Sequence, residues 1–150
     1  MHGVKNNFKY KSIKIAFEGP EVILGISLED LKAEINDLSR LGKLLPEGAV
    51  KDFTSNGDQC SFKVKGGVSI HLEKDLSELA ENMLIKLNTV SPSPVKFSLE
   101  AVAVMHEDGV SCRVRSDADL NPFTKMMVEP ALKSLFEELA EGMKQKFPVS

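Results

Sequence analysis

The sequence predicts an α+β domain in which seven antiparallel strands curve around one long C-terminal helix. The stretch from Ser116 to Phe147 reads as a strand end running into an amphipathic helix. At 1.5 Å per residue, its roughly 26 helical residues make a rod of about 39 Å, long enough to cross a small domain. Between residues 49 and 119, apolar and polar residues alternate with period two in one segment after another. Asn56-Gly57-Asp58, Gly66-Gly67 and Glu107-Asp108-Gly109 punctuate that alternation as hairpin turns. Two short helical segments precede this meander, so the element order is β-α-α-β-β-β-β-β-β-α.

Residues 1–7 are polar and are expected to be flexible, leaving 8–150 as a single domain large enough to bury a core. The first strand spans Phe8 to Phe17, with Ile13, Ile15 and Phe17 on one face and Lys14 and Ala16 on the other. Phe8 and Tyr10 have the opposite parity, which points to a bulge or an edge position. Gly19-Pro20 ends the strand. Ser27, followed by Glu29 and Asp30, marks a helix start, and Leu28, Leu31, Ile35 and Leu38 recur at helical spacing. The pattern continues through Leu41, Leu44 and Leu45 to a stop at Pro46-Glu47-Gly48. It reads as two short helices broken near Asn36-Asp37, with one bent helix as the alternative.

In the meander, Cys60, Phe62 and Val64 share one face, as do Val68, Ile70 and Leu72, while Ser61, Lys63, Lys65, Ser69, His71 and Glu73 take the other. One wet face and one apolar face are what an antiparallel sheet covering a core requires. Residues 74–90 fit either a helix or a turn followed by a strand from Met83 to Val90, and the flanking hairpins favour the strand. Val95, Phe97, Leu99, Ala101, Ala103 and Met105 face inward on a long strand, and Val110, Cys112 and Val114 face inward on its partner. In the final helix Asn121 is the cap and Pro122 the first helical residue. Phe123, Met127, Ala131, Leu135, Leu139 and Met143 form the apolar row, widened by Met126, Leu132, Phe136, Ala140 and Phe147. Pro130 lacks the N–H that would bond the Met126 carbonyl, so a kink is expected there.

Composition excludes several classes of function. A net charge of −3 and the lack of any run of Lys or Arg argue against nucleic acid as a partner. Lys5, Lys9, Lys11 and Lys14 are spaced as a solvated strand face. No apolar run is long enough to span a bilayer and the N-terminus has no signal-peptide core, so the sequence predicts a cytoplasmic protein without an integral membrane segment. Cys60 and Cys112 fit that compartment as buried thiols. His2, His71 and His106 have no paired ligand spacing and no CxxC is present, so neither a metal nor another cofactor is expected. No GxSxG occurs, and Asp117 and Asp119 share the outward parity of Arg113 and Arg115, which explains them as charge pairs.

Three stretches carry a resemblance: Leu44-Leu45-Pro46-Glu47 with Val50-Lys51-Asp52, the Cys60-Ser61-Phe62 strand, and Ala118-Asp119-Leu120-Asn121-Pro122 with Met126-Met127 and Pro130. They resemble the SRPBCC or START-like superfamily, the helix-grip fold of the birch pollen allergen, and most closely its small uncharacterised bacterial proteins. The 74–82 turn and the N-terminal extension depart from that pattern. The resemblance implies carriage of a small hydrophobic ligand, such as a lipid, a quinone or a polyketide-like compound, between sheet and helix. Inward parity and the expected kink suggest Phe62, Ile70, Phe97, Leu99, Ala101, Cys112, Met126, Met127 and Pro130 as its lining. The methionines fit two readings equally, ordinary filling of core gaps or a deformable cavity wall. A cyclase or aromatase of the polyketide kind is a second reading, but the inner faces offer few polar groups, so binding is preferred to catalysis. A chaperone-like module whose groove meets a protein segment is a third.

Overall fold

The computed structural model describes residues 13–45, 50–64 and 67–150. The expected strand start at Phe8 with Tyr10, the stop at Pro46-Glu47-Gly48 and the turn residue Gly66 lie outside the described residues. The chain is α+β. Strands β1 (Ile13–Glu18) and β2 (Val22–Leu24) are followed by helix α1 (Leu28–Asn36), helix α2 (Leu38–Leu41) and a 3-10 turn (Gly42–Leu44). Then come β3 (Lys51–Asn56), β4 (Gln59–Lys63), β5 (Ser69–Lys74), β6 (Met83–Thr89), β7 (Lys96–His106), β8 (Gly109–Leu120) and helix α3 (Pro122–Lys146).

The strands form one antiparallel sheet in the order β1-β8-β7-β6-β5-β4-β3, with β2 also on β8. The sheet therefore has one strand more than expected. β2 is three residues long, too short to show a period, and it continues the edge that β1 begins. β1 pairs Ile13–Glu18 with Leu120–Arg115, and β2 pairs Val22–Leu24 with Cys112–Val110. Between them Gly19 N–H donates to Val114 O at 2.8 Å.

The break at Asn36-Asp37 separates α1 from α2 as two helices, each with its own cap. Ser27 Oγ accepts from Asp30 N–H at 3.1 Å, and Asp37 Oδ1 accepts from Ser39 N–H at 3.1 Å and from the Ser39 hydroxyl at 2.6 Å. Residues 75–82 are a turn rather than a helix. The Asp75 carboxylate binds the backbone N–H and hydroxyl of Ser77, which hold it below the usual carboxylate range, and Asn82 adopts a φ of 68°. Side-chain hydrogen bonding to the backbone has here displaced the helix that local propensity favours.

Helix α3 is one continuous helix through Pro130, capped by Asn121 Oδ1 on Thr124 N–H at 2.8 Å. Its buried residues are Val128, Leu132, Leu135, Phe136, Leu139, Ala140, Gly142 and Met143. They pack on a core built from the inner faces of all but the β3 edge, together with Leu31, Ile35 and Leu38 of the short helices. Two glycines set how close the helix comes. A Cβ on Gly142 would lie 1.6 Å from Leu44 O, and one on Gly19 would lie 3.0 Å from Phe136 Cβ. Gly142→Ala should therefore cost about 3 kcal/mol, the upper end of overpacking penalties. Gly57→Ala, in an open turn with nothing within 4 Å of the new Cβ, should cost only roughly 1–2 kcal/mol for its positive φ. Urea unfolding of the two variants checks this, and equal losses would refute the backbone contact at Leu44.

Candidate functional site

The space between the sheet and α3 narrows to a cavity of 40 Å³ lined by Leu99, Ala101 and Val114 on the central strands and Ile85 and Leu87 on β6. Ile35, Leu41 and Leu44 close one side, and Leu139 and Met143 of α3 form the roof. The remaining wall residue, Glu100, points its side chain to the other face of the sheet, where its carboxylate meets Arg115 Nε at 2.9 Å and Lys86 Nζ at 3.8 Å. The walls facing the cavity are apolar.

Of the nine residues expected to line a ligand, Leu99 and Ala101 are cavity walls. Phe62, Ile70, Phe97 and Cys112 are buried in the surrounding core without bordering the cavity. Met126, Met127 and Pro130 stand elsewhere: Met126 is 79% exposed, Met127 is 55% exposed, and Pro130 also faces solvent. Helical geometry explains the displacement. A step of four residues advances about 400°, so an i, i+4 row drifts about 40° per step around the helix. The row from Phe123 to Met143 therefore winds by about 200° and cannot share one face. Centred on Leu139, the buried stripe leaves Phe123, Met126, Met127 and Pro130 on the opposite side. Met105, expected inward, is also exposed, because it lies next to the turn of the β7–β8 hairpin, at the rim of the sheet. Among the methionines considered, Met143 is the one that reaches the cavity.

The residues that sequence reasoning passed over are Ile35, Leu41, Leu44, Ile85, Leu87, Val114, Leu139 and Met143. The leucines of α1 and α2 were visible as an apolar row, and Leu139 and Met143 as part of the helix stripe. Nothing in the sequence showed that these two rows meet, since that follows from the Gly142–Leu44 contact. Exposed Phe123, Met126 and Met127 form a second feature, an apolar surface on the first half of α3.

Polar groups divide sharply between the two faces of β7 and β8. Among the inward side chains of these strands, Ser116 and the Cys112 thiol are the exceptions to an alkyl or aromatic surface. Cys60 and Cys112 are free and buried, and desolvation pushes both thiols up to about 11 from an ordinary 9.0. On the outer face, a shallow groove of 610 Å³ crosses four strands and is lined in part by Lys14, Lys86, Lys96, Asp117 and Asp119. Its mixed charge and width suit a solvated sheet surface. Among the described residues no cluster of His, Cys, Asp and Glu is arranged to hold a metal ion, and no helix is long and apolar enough to cross a membrane.

Solved structures share this architecture. A truncated norcoclaurine synthase from Thalictrum flavum matches with a TM-score of 0.60 at 14% identity, over 93% of this chain and 98% of that one. A protein of unknown function from Staphylococcus aureus matches with a TM-score of 0.58 at 12% identity, over 90% and 96%. The protein XoxI from Bacillus cereus matches with a TM-score of 0.58 at 13% identity, over 91% and 95%. At such identities the likeness establishes the fold, which is the helix-grip arrangement of a curved antiparallel sheet around a long C-terminal helix. No family model matches the chain, and no curated protein matches it in sequence.

The thiols give a direct test of which side of the sheet faces the core. A shift from 9.0 to about 11 cuts the thiolate fraction at neutral pH roughly 100-fold, in addition to shielding. Labelling of native protein by a maleimide at pH 7 should therefore be slower than in urea by at least that factor. Prompt labelling of both cysteines in the native state would show that Cys60 and Cys112 do not face inward.

Proposed function

We propose that this chain is a START-like binding protein, akin to the small bacterial proteins of that superfamily, that holds a small hydrophobic molecule between its sheet and α3. The observation that carries this reading is the apolar cavity closed by three separate layers: central strands, short helices and α3. A space of 40 Å³ is far below the roughly 300–1,000 Å³ of drug-sized sites. Occupancy by a lipid, quinone or polyketide-like molecule therefore requires the walls to part. Met143 supports that step, because a thioether changes shape at low cost. So does the brevity of α2 and its 3-10 turn, whose Leu41 and Leu44 close the cavity against Leu139 and Met143.

Native mass spectrometry of freshly purified protein should reveal a co-purified apolar molecule. A screen of fatty acids, quinones and aromatic polyketides should raise the melting temperature for at least one class. Ala101→Val adds two methyl groups to a cavity wall and should weaken that binding at least tenfold while costing about 1 kcal/mol of stability, the lower end of overpacking penalties, because the cavity takes part of the added volume. Absence of any adduct together with a flat melting-temperature screen would refute ligand carriage.

One observation supports a second reading, a partner-binding module. Phe123, Met126 and Met127 expose a helical apolar face, and such faces commonly mark interaction surfaces. If that reading holds, Met126→Lys combined with Met127→Lys leaves small-molecule binding intact and abolishes association, measured by sedimentation with the partner present.

A further inference from the structure

The inner face of β8 carries one feature that an apolar carrier does not need. Ser116 is 1% exposed, and its hydroxyl has no hydrogen-bond partner among the described residues. Leaving a buried hydroxyl unpaired costs about 1–3 kcal/mol, and Ala or Val would avoid that cost in the same position. Its position relates it to the cavity. Ser116 is the next inward residue after Val114, about 7 Å further along the strand. Phe97 pairs with Ala118 and Glu100 with Arg115, a register that sets Leu99 opposite Ser116. Leu99 and Val114 are both cavity walls.

A second observation falls at the same point. The β7–β8 ladder is interrupted between those two pairs, and the Ser98 hydroxyl stands in for the backbone. Ser98 Oγ accepts from Asp117 N–H at 3.2 Å and donates to Asp117 O at 3.5 Å. The register is unchanged across this point, and the Ser98 hydroxyl bonds Asp117 on the outer side while the Ser116 hydroxyl beside it stays unpaired. On its other side Ser116 pairs with Phe17 of β1, so the hydroxyl lies between the Leu99 and Phe17 positions on the inner face.

We infer that the molecule held in the cavity is apolar but carries one hydrogen-bonding group, a hydroxyl or a carbonyl, that pairs with Ser116. A serine hydroxyl both donates and accepts, so it serves either group. This favours alcohols, phenols and ketone-bearing hydrophobes over pure hydrocarbons of the same shape. It rests on the cavity reading above, and the test separates the two.

The experiment uses the full chain, wild type and Ser116→Ala, with phenol and toluene as probes. The probes are nearly the same shape and exchange a hydroxyl for a methyl group. Binding is followed by titration calorimetry and by NMR shifts of the Ala101 and Val114 methyl groups. The inference expects Ser116→Ala to weaken phenol at least tenfold and to change toluene less than twofold. It also expects the ligand-free variant to melt no lower than wild type, because the hydroxyl it removes has no partner. Toluene and phenol binding with a ratio unaffected by Ser116→Ala would overturn the Ser116 assignment and leave the cavity reading standing. A drop of several degrees in the ligand-free variant would overturn it too, by showing that the hydroxyl is already bonded within the protein. Failure of both probes to bind would overturn both readings.

Discussion

The close approach of α3 to the 3-10 turn at Leu44 is the constraint on which the rest of the structure depends. Because residue 142 has no side chain, the helix backbone sits directly on the Leu44 carbonyl. That distance brings Leu139 and Met143 within reach of Leu41 and Leu44 and closes the interior between them. The chain is fastened again just beyond the helix, where Gly25 N–H donates to Phe147 O at 2.9 Å. The C-terminal half of α3 is thus held at two points, while its first turns are held mainly by their cap. Burial follows the same gradient: Val128 is the first buried residue of the helix, and from Leu132 onward the stripe is continuous.

Most of the architecture was legible because it depends on local pattern. Strict alternation set the faces of β4, β5, β7 and β8, and the two-residue turn at Gly57-Asp58 fixed the β3–β4 register. The stretch 74–90 was decided by context, and the structure supplies the local cause in the Asp75 turn. The site was only partly legible. Leu99 and Ala101 follow from strand parity alone. Met126, Met127 and Pro130 failed because a row of i, i+4 residues was taken for a face, and near the helix start the two differ by half a turn. The walls from α1 and α2 depend on a contact 98 residues apart in sequence, Leu44 to Gly142, which no local pattern contains.

The outer face of the sheet follows a different logic. Glu100 is only 4% exposed although its neighbours on that face are polar, and it is held between Arg115 and Lys86. Such a pair is weak evidence of net stability, since desolvation offsets much of the attraction. Its clearer effect is on register. A shift of either neighbour by one residue would leave the carboxylate buried without a cation, so the pair specifies how β6, β7 and β8 align. The alignment in turn keeps Leu87, Leu99 and Val114 together on the cavity side.

This division of faces bears on what the interior can do. General acid–base chemistry needs a group whose pKa lies near the working pH. On the inner side of β7 and β8 the titratable group is the Cys112 thiol, which burial keeps protonated far above neutrality. The carboxylates and cations of the same two strands, Glu100, Asp117, Asp119, Arg113 and Arg115, all project to the outer side. The walls of the cavity between sheet and helix are accordingly alkyl groups, with the Ser116 hydroxyl next along β8. The strand pattern that makes the sheet fold also determines this outcome. Alternation that sends every charge of β8 outward leaves position 116 as the one place on that strand where a buried oxygen meets the interior.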